Sequence, residues 1–332
     1  MKKVIVFGAT GSIGAYVTDY LNNELNPEEY KTIASGSRKT DFFGSMGIEY
    51  ISVDISKKEQ IETLPAEDVY AVILLASVMP GNMRGYFPLK YLETNIIGAY
   101  NVLEYCRKSG VNRIIYTQTI RDVGNYIGSD KSISSDLARS FSYTGDHAVY
   151  VISKNTAVDL IEHYYQEYGI KRFILRLPTI YLYSKNKYYY VDGKKKVQGY
   201  RHIIDQAIQG LPIEMWGDPK KAHDILYVKD LCQMIKKALL SNCDGGVYNA
   251  GTGIPVSLEE QIKGIVQVFS PKESQLKIIA CPEKPNARTY TLDISKAQKY
   301  LEYKPSYDYI RYLIDFKEEM NLGRFDELND KK

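Results

Sequence analysis

The 332-residue chain predicts an α/β fold, a doubly wound parallel sheet followed by a smaller α/β domain. Three observations point there. Short apolar runs rich in β-branched residues alternate with longer stretches of helical period as far as Pro178. The first run, in "MKKVIVFGATGSIGAY", stops at glycine, and Gly8, Gly11 and Gly14 fall where a helix must begin. The run "DVYAVILLAS" has no polar alternation, as befits a strand covered on both faces.

The elements follow in order. "KKVIVFGA" is the first strand, with four consecutive apolar residues and a glycine stop. "SIGAYVTDYLNNEL" is the helix after it, with Ile13, Val17, Tyr20 and Leu21 near helical spacing. "YKTIASGSRK" and "GIEYISVDIS" are the second and third strands, and "DVYAVILLAS" is the fourth. "LKYLETNIIGAYNVLEYCRKSG" is a long helix, its stripe Leu92, Ile96, Ala99, Leu103 and Cys106 closed by Gly110. "VNRIIYTQT" is the fifth strand, "AVYVISKNTAVDLIEHYYQEYG" a second long helix, and "IKRFILRLP" the sixth strand. Residues 183–201, "YSKNKYYYVDGKKKVQGYR", show no clear period. A helix ("HIIDQAIQG"), a short strand region ("PIEMWGD") and a strand–helix pair ("DILYVKDLCQMIKKALLS") come next. The expected division is a sheet domain over 1–179 with a return segment near 223–252, a second domain over 180–322, and a polar, frayed tail over 323–332.

Composition excludes some partners. Basic residues number 43 against 40 acidic, a net charge of +3 that gives no reason to expect nucleic acid or a membrane surface. No run reaches the roughly 18 apolar residues of a membrane span. The run Val4 to Phe7 is too short for a signal-peptide core. Cys106, Cys232, Cys243 and Cys281 lie far apart, so neither a metal site nor a disulfide framework is expected. A reducing cytoplasm is the default compartment. Thirty tyrosines suit core, interface and sugar-facing pockets alike, so their number does not discriminate.

The spacing Gly-x-x-Gly-x-x-Gly leaves backbone N–H groups free at a helix start, where the helix dipole adds positive potential. A pyrophosphate needs such donors and no side chain in the way. The alternative is a turn that merely packs tightly. Its place at the first strand and helix, ahead of four more strand–helix steps, favours a dinucleotide. Thr10, Ser12 and Ile13 fill the turn and join the candidate cofactor site. The second strand ends in "ASGSRKT", with no carboxylate before Asp41 to hold a ribose 2′-hydroxyl. Ser37, Arg38 and Lys39 suit a 2′-phosphate instead, Arg38 through its fork. NADP is therefore expected, with NAD as the alternative if the triplet is only an exposed basic loop.

The candidate chemistry sits after the fifth strand. Thr119 ends that strand, and Tyr150 and Lys154 share one face of the helix that follows. A phenol with a pKa of about 10 is a poor base at neutral pH. A nearby ammonium and a positive nicotinamide would both favour the phenolate, and a three-unit drop takes about 4 kcal/mol. Thr119 would position the reacting oxygen. Tyr-x-x-x-Lys alone says little, since it recurs at Tyr86, Tyr181, Tyr183, Tyr190 and Tyr300. Placement singles out Tyr150, at the carboxyl edge where open α/β sheets bind ligands.

From residue 2 to about 312 the chain resembles the extended short-chain dehydrogenase/reductases, in their nucleotide-sugar epimerase/dehydratase branch. The resemblance is carried by "GATGSIG", "VDIS", "VILLAS", "NIIGAYNVLEYCRKSGVNRIIYTQT", "YVISK", "ILRLPTIY", "WGDPKKAHDILYVKDL", "YNAGTGIPVSLEEQ" and "LDISKAQKYLEYKP", in that order. It implies a Rossmann domain whose Asp54 and Ile55 flank the adenine and whose Leu75 and Ala76 run along the cofactor. It implies that Asn95 supports the site, that Thr117 joins the cofactor set, that Lys154 also binds the ribose, and that Pro178 approaches the nicotinamide. Thr179 and His223 match substrate-contacting positions. The family usually has two serines where Gln118 and Thr119 stand, and its dehydratases an Asp-Glu pair where Ile120 and Arg121 stand, which argues against dehydration. His223 stands where an arginine usually clamps phosphate, so Arg288 or the Lys194 to Lys196 run could replace it. That lysine run is otherwise a solvated loop. His147, three residues before Tyr150, either faces the substrate or only begins the helix.

Together these imply an NAD(P)-dependent epimerase or ketoreductase acting on a nucleotide-sugar, with Tyr150 as acid/base and no metal. The alternatives are an NADPH-dependent reductase of a non-nucleotide ketone and a catalytically silent cofactor-binding regulator. The helices over 91–107 and 149–168 are long and apolar enough to pair with their own copies, as they do in the family, so a homodimer is expected.

Overall fold

A computed structural model describes residues 1–145, 147–191, 193–271 and 276–329. At its centre lies a seven-stranded, wholly parallel sheet. Its strands are β1 (Lys2–Phe7), β2 (Tyr30–Gly36), β3 (Glu49–Ser52), β4 (Val69–Leu74), β5 (Arg113–Thr119), β6 (Lys171–Leu177) and β7 (Gly245–Asn249). Their order across the sheet is 7-6-5-4-1-2-3. The chain winds outward from β1 in one direction, then from β4 in the other, which makes the crevice between β1 and β4 the switch point.

Strand alternation explains both faces. Val4 and Val6 join one core with Ala71 and Ile73 of β4, packed under α1 (Ser12–Glu24). Ile5 and Phe7 join the opposite core with Val72 and Leu74, under α2 (Gly98–Lys108) and α3 (Ala148–Tyr168). All four β1 side chains are fully buried, which is why the run carries no polar residue. Helix α3 ends at Gly169 in the left-handed region, φ 71°, where glycine is favoured.

Among the described residues four longer helices follow, α4 (Gly199–Gln209), α5 (Val228–Leu240), α6 (Leu258–Phe269) and α7 (Tyr309–Leu322), with a shorter helix at Ser295–Leu301. Small two-stranded ladders lie among them. Residues Tyr188–Val191 and Lys194–Val197 pair antiparallel, so the segment read as aperiodic contains a hairpin. Its "DG" is a turn signal that the dense tyrosines and lysines obscured. The long helix expected before β5 is interrupted by a π-helical stretch, Leu92–Ile97, between Pro88–Tyr91 and α2.

The polar tail expected to fray is folded down as far as residue 329. Phe325 and Leu328 are each 6% exposed, and Phe325 packs edge-on against Tyr16 of α1 at 4.7 Å. Arg324 pairs with Asp19 and Glu319. Two apolar anchors inside a polar stretch were enough to hold it. Residues 330–332 lie outside the described set.

Candidate active site

The β1–α1 turn comes first. Gly8 has φ +88°, and a Cβ there would lie 2.6 Å from the Ala76 nitrogen. A Cβ on Gly14 would lie 2.0 Å from the Gly8 carbonyl oxygen. Only glycine permits that closure. Gly11 caps α1 with no side-chain hydrogen bond, leaving first-turn N–H groups without a side-chain acceptor. The donor set therefore fits a dinucleotide pyrophosphate. Thr10 is buried beneath Gly36, Ile13 packs into the core, and Ser12 Oγ lies 3.4 Å from Ser184 Oγ.

Other expected cofactor residues line the same edge. Leu75 and Ala76 both donate backbone N–H to the Phe7 carbonyl, carrying β4 past the end of β1. Asp54 Oδ1 accepts from Ser56 N and Oγ, and Ile55 packs under Gly98. Ser37, Arg38 and Lys39 are exposed at the end of β2. Arg38 Nη1 already donates to the Leu328 carbonyl at 2.6 Å. Thr117 is buried in β5 and Pro178 is buried just past β6, while Thr179 beside it is exposed.

Asn95 sits in the π-helical stretch, 3% exposed. Its Oδ1 accepts from Val78 N at 2.8 Å, and its Nδ2 donates to Ser153 Oγ at 2.9 Å. Ser153 in turn donates to the Tyr150 carbonyl. Asn95 thus ties the loop after β4 to the start of α3. The extra residue in the π turn aims it inward.

Thr119 and Tyr150 meet. The Thr119 hydroxyl is near enough to the phenol to pull its pKa down, as does the charge of Arg121. Burial is the larger effect and pushes Tyr150 up to about 12. Lys154 is 2% exposed, its nitrogen 4.1 Å from the centre of the Tyr116 ring. Burial lowers Lys154 to about 7 from the ordinary 10.5. The expected tuning of a phenolate by an ammonium is therefore not met in the chain alone. The amine loses its proton well before the phenol does.

Other residues take different places. His223 packs tilted against Tyr290, its Nε2 3.1 Å from the Tyr181 hydroxyl. Burial lowers it to about 4, so the imidazole is neutral at pH 7 and offers no charge to a phosphate. Lys194, Lys195 and Lys196 are exposed on the hairpin. Arg288 shares the wall of a cavity of about 450 Å³ with Arg121 and His147, and the His147 ring lies edge-on to Tyr150 at 6.4 Å.

Three supporting features escaped sequence reasoning. Arg176 and Asp122 form a 3%-exposed ion pair at 3.0 Å, and Arg176 also donates to Asn249 Oδ1. An arginine within the apolar "ILRLP" run was the available signal, since a buried charge demands a partner. Gln118 Nε2 donates to Asn155 Oδ1 and its Oε1 accepts from Thr119 N, clamping β5 to α3 behind the reacting pair. Asp224 accepts from Thr252 and Gly253, closing a loop rather than facing a ligand. Among the described residues no group of three or more metal-ligating side chains is found, all four cysteines are free thiols, and no helix is long and apolar enough to cross a membrane.

Bare glycine backbone before an uncapped helix, with an ionisable phenol at the same sheet edge, marks a dinucleotide-binding protein of the Rossmann class. The chain belongs to the NAD dependent epimerase/dehydratase family, whose model matches residues 4–251. It is 24% identical over 316 residues to a UDP-glucuronate 4-epimerase of Thermodesulfobacterium geofontis, covering 92% of each chain. It is 24% identical over 331 residues to a dTDP-glucose 4,6-dehydratase of Haemophilus influenzae, covering 95% of this chain and 90% of that one. The UDP-glucose 4-epimerase of Thermotoga maritima, solved with UDP-glucose, superimposes with a TM-score of 0.76 at 20% identity, over 97% of this chain and 99% of the other.

Proposed function

We propose that the protein is an NAD(P)-dependent epimerase or ketoreductase acting on a nucleotide-sugar. The approach of Thr119 to Tyr150, at the same carboxyl edge of the sheet as the glycine turn, carries this reading. The nicotinamide, when bound, exchanges hydride with a sugar carbinol or ketone carbon. Tyr150 takes or gives the proton at the attached oxygen, and Thr119 holds that oxygen in line. Lys154 holds the ribose and lends charge to Tyr150 whenever it is protonated. Gly8, Gly11, Ser12 and Gly14 cradle the pyrophosphate, and Asn95 holds the loop that follows β4. Thr179 and Arg288 face the substrate, with Arg288 as the charged diphosphate handle in place of the arginine at whose position His223 stands. The absence of an Asp-Glu pair after Thr119 favours epimerisation or reduction over dehydration.

The cofactor reading is NADP, on Ser37, Arg38 and Lys39 at the end of β2 and no carboxylate among them. One observation favours NAD instead: the Arg38 guanidinium is engaged by the Leu328 carbonyl. A homodimer is proposed through exposed Leu89, Leu92, Ile97, Tyr100 and Ile152, which lie on the helical run leading into α2, on α2 itself and on α3. The reducing cytoplasm is the proposed compartment, in keeping with four free thiols.

The test is a binding screen of nucleotide-sugars against cofactor-loaded protein, followed by the fate of the nicotinamide. An epimerase copurifies with its dinucleotide and returns it unchanged after turnover, and a reductase consumes free NADPH. A panel in which none binds defeats the substrate assignment.

A further inference from the structure

We infer that the segment 323–329 sets the balance between NADP and NAD, by holding Arg38 away from a 2′-phosphate. The inference rests on the dinucleotide reading above and gives it a selectivity device. A dinucleotide on a doubly wound sheet lays its pyrophosphate at the start of α1 and its adenosine ribose toward the end of β2. The segment reaches both places. Ser12, the first residue of α1, donates through Oγ to Ser184 Oγ at 3.4 Å, and Ser184 Oγ donates to Asn329 Oδ1 at 2.8 Å. One residue earlier, the Leu328 carbonyl accepts from Arg38 Nη1 at 2.6 Å. Phe325 packs on Tyr16 of α1 and on Phe42, just past the basic triplet, with ring centroids 4.7 and 6.2 Å away. Arg324 pairs with Asp19 at 2.7 Å.

Arg38 is held at both ends. The Tyr50 hydroxyl donates to the Gly36 and Arg38 carbonyls, which fixes the backbone where β2 stops. The Leu328 carbonyl fixes the guanidinium. That guanidinium is the only fork in the Ser37, Arg38, Lys39 triplet, and a fork grips phosphate best through two parallel N–H groups. One of its nitrogens already serves a backbone carbonyl. A 2′-phosphate drawn to the same fork meets that oxygen as a competing acceptor, with lone pairs facing its own charge. Either the phosphate does without the full grip of Arg38, or the segment gives way. A 2′-hydroxyl makes no such demand. Because the competing group is main chain, its place depends on the anchors Arg324, Phe325 and Asn329 rather than on the side chain at position 328.

The test is calorimetric titration of the full chain and its variants with NADP and with NAD. Ending the chain after Gly323 should raise NADP affinity about 10-fold and leave NAD affinity within about threefold. Arg324→Gln with Asn329→Ala keeps the buried Phe325 anchor, should move the ratio the same way by a smaller factor, and decides the matter if the shortened chain does not fold. Removing residues 330–332 alone should leave the ratio unchanged, and a full shift there overturns the inference. Arg38→Gln should cancel the gain in the shortened chain, yet change NADP affinity of the full chain by no more than about threefold. Coupling of this kind is reciprocal, so in the unaltered chain NADP should speed amide hydrogen exchange over 324–329 relative to NAD. An unchanged ratio in both loosened variants overturns the inference and leaves the dinucleotide reading standing. A gain that survives Arg38→Gln overturns the role of Arg38. If neither dinucleotide binds the full chain, the dinucleotide reading falls, and this inference with it.

Discussion

The Lys154 side-chain nitrogen lies 4.1 Å above the centre of the Tyr116 ring, deep under the start of α3. The ring's negative face partly compensates a buried ammonium, yet not enough to keep it fully charged at pH 7. Lys154 falls to about 7 while Tyr150 rises to about 12. Over the whole interval between these values the phenol is protonated and the amine neutral. Bringing the two charges into being together requires a further positive or hydrogen-bonding group at the site.

A pH effect on stability follows. Lys154 binds its proton more weakly folded than unfolded, so the unfolded chain holds more protons between pH 7 and 10.5. Folding stability of the cofactor-free protein should therefore gain a rising component from pH 7 to 10.5. Below pH 7 both states are protonated and this component is flat. Denaturant titrations across that range should show it, and Lys154→Met should remove it. Equal slopes in the two proteins would contradict the assignment.

His223 should behave in the same sense at lower pH. Its pKa falls from 6.5 to about 4, so the component it contributes weakens as pH drops through that window. The imidazole proton resonances of His223 should stay in the neutral position at pH 6, and His223→Gln should leave nucleotide-sugar affinity within about threefold. A tenfold loss would restore His223 as a phosphate contact.

Gly14→Ala should strike cofactor binding. Its Cβ would meet the Gly8 carbonyl oxygen at 2.0 Å, so the turn must open. Overpacking of this kind costs about 1–3 kcal/mol, and here the displaced turn is the one proposed to hold the pyrophosphate. Dinucleotide affinity, read by quenching of tyrosine fluorescence, should fall by more than the loss of melting temperature alone would explain.

The buried pair Asp122–Arg176 predicts an asymmetric pair of variants. Arg176→Met leaves a buried carboxylate alone and should cost about 3–5 kcal/mol. Burial already raises Asp122 toward its neutral form, and the loss of its partner raises it further. Asp122→Asn combined with Arg176→Met should recover part of the loss in urea unfolding.

The parallel sheet could be read from the sequence because both of its faces are buried, and continuous apolar runs have no other use in a chain of this kind. Gly8, Gly11 and Gly14 could be read because steric closure admits no other residue at Gly8 and Gly14. Thr119, Tyr150 and Lys154 are singled out as candidates by position along the sheet edge, since spacing alone fits five other tyrosines. What stayed hidden depends on contacts between distant segments. Arg38 meets Leu328 across 290 residues, and Gln118 meets Asn155 across 37. The sign of the Tyr150 shift depends on burial by the folded chain, and no local pattern records that.

The most direct measurement is the reduction of enzyme-bound dinucleotide by a nucleotide-sugar, or its reverse, followed by the near-ultraviolet absorbance of the reduced nicotinamide in wild type and Tyr150→Phe. Loss of the acid/base should slow the step by about 10²- to 10⁴-fold while cofactor affinity stays unchanged. A Tyr150→Phe rate within a few-fold of wild type would show that this phenol does not carry the proton.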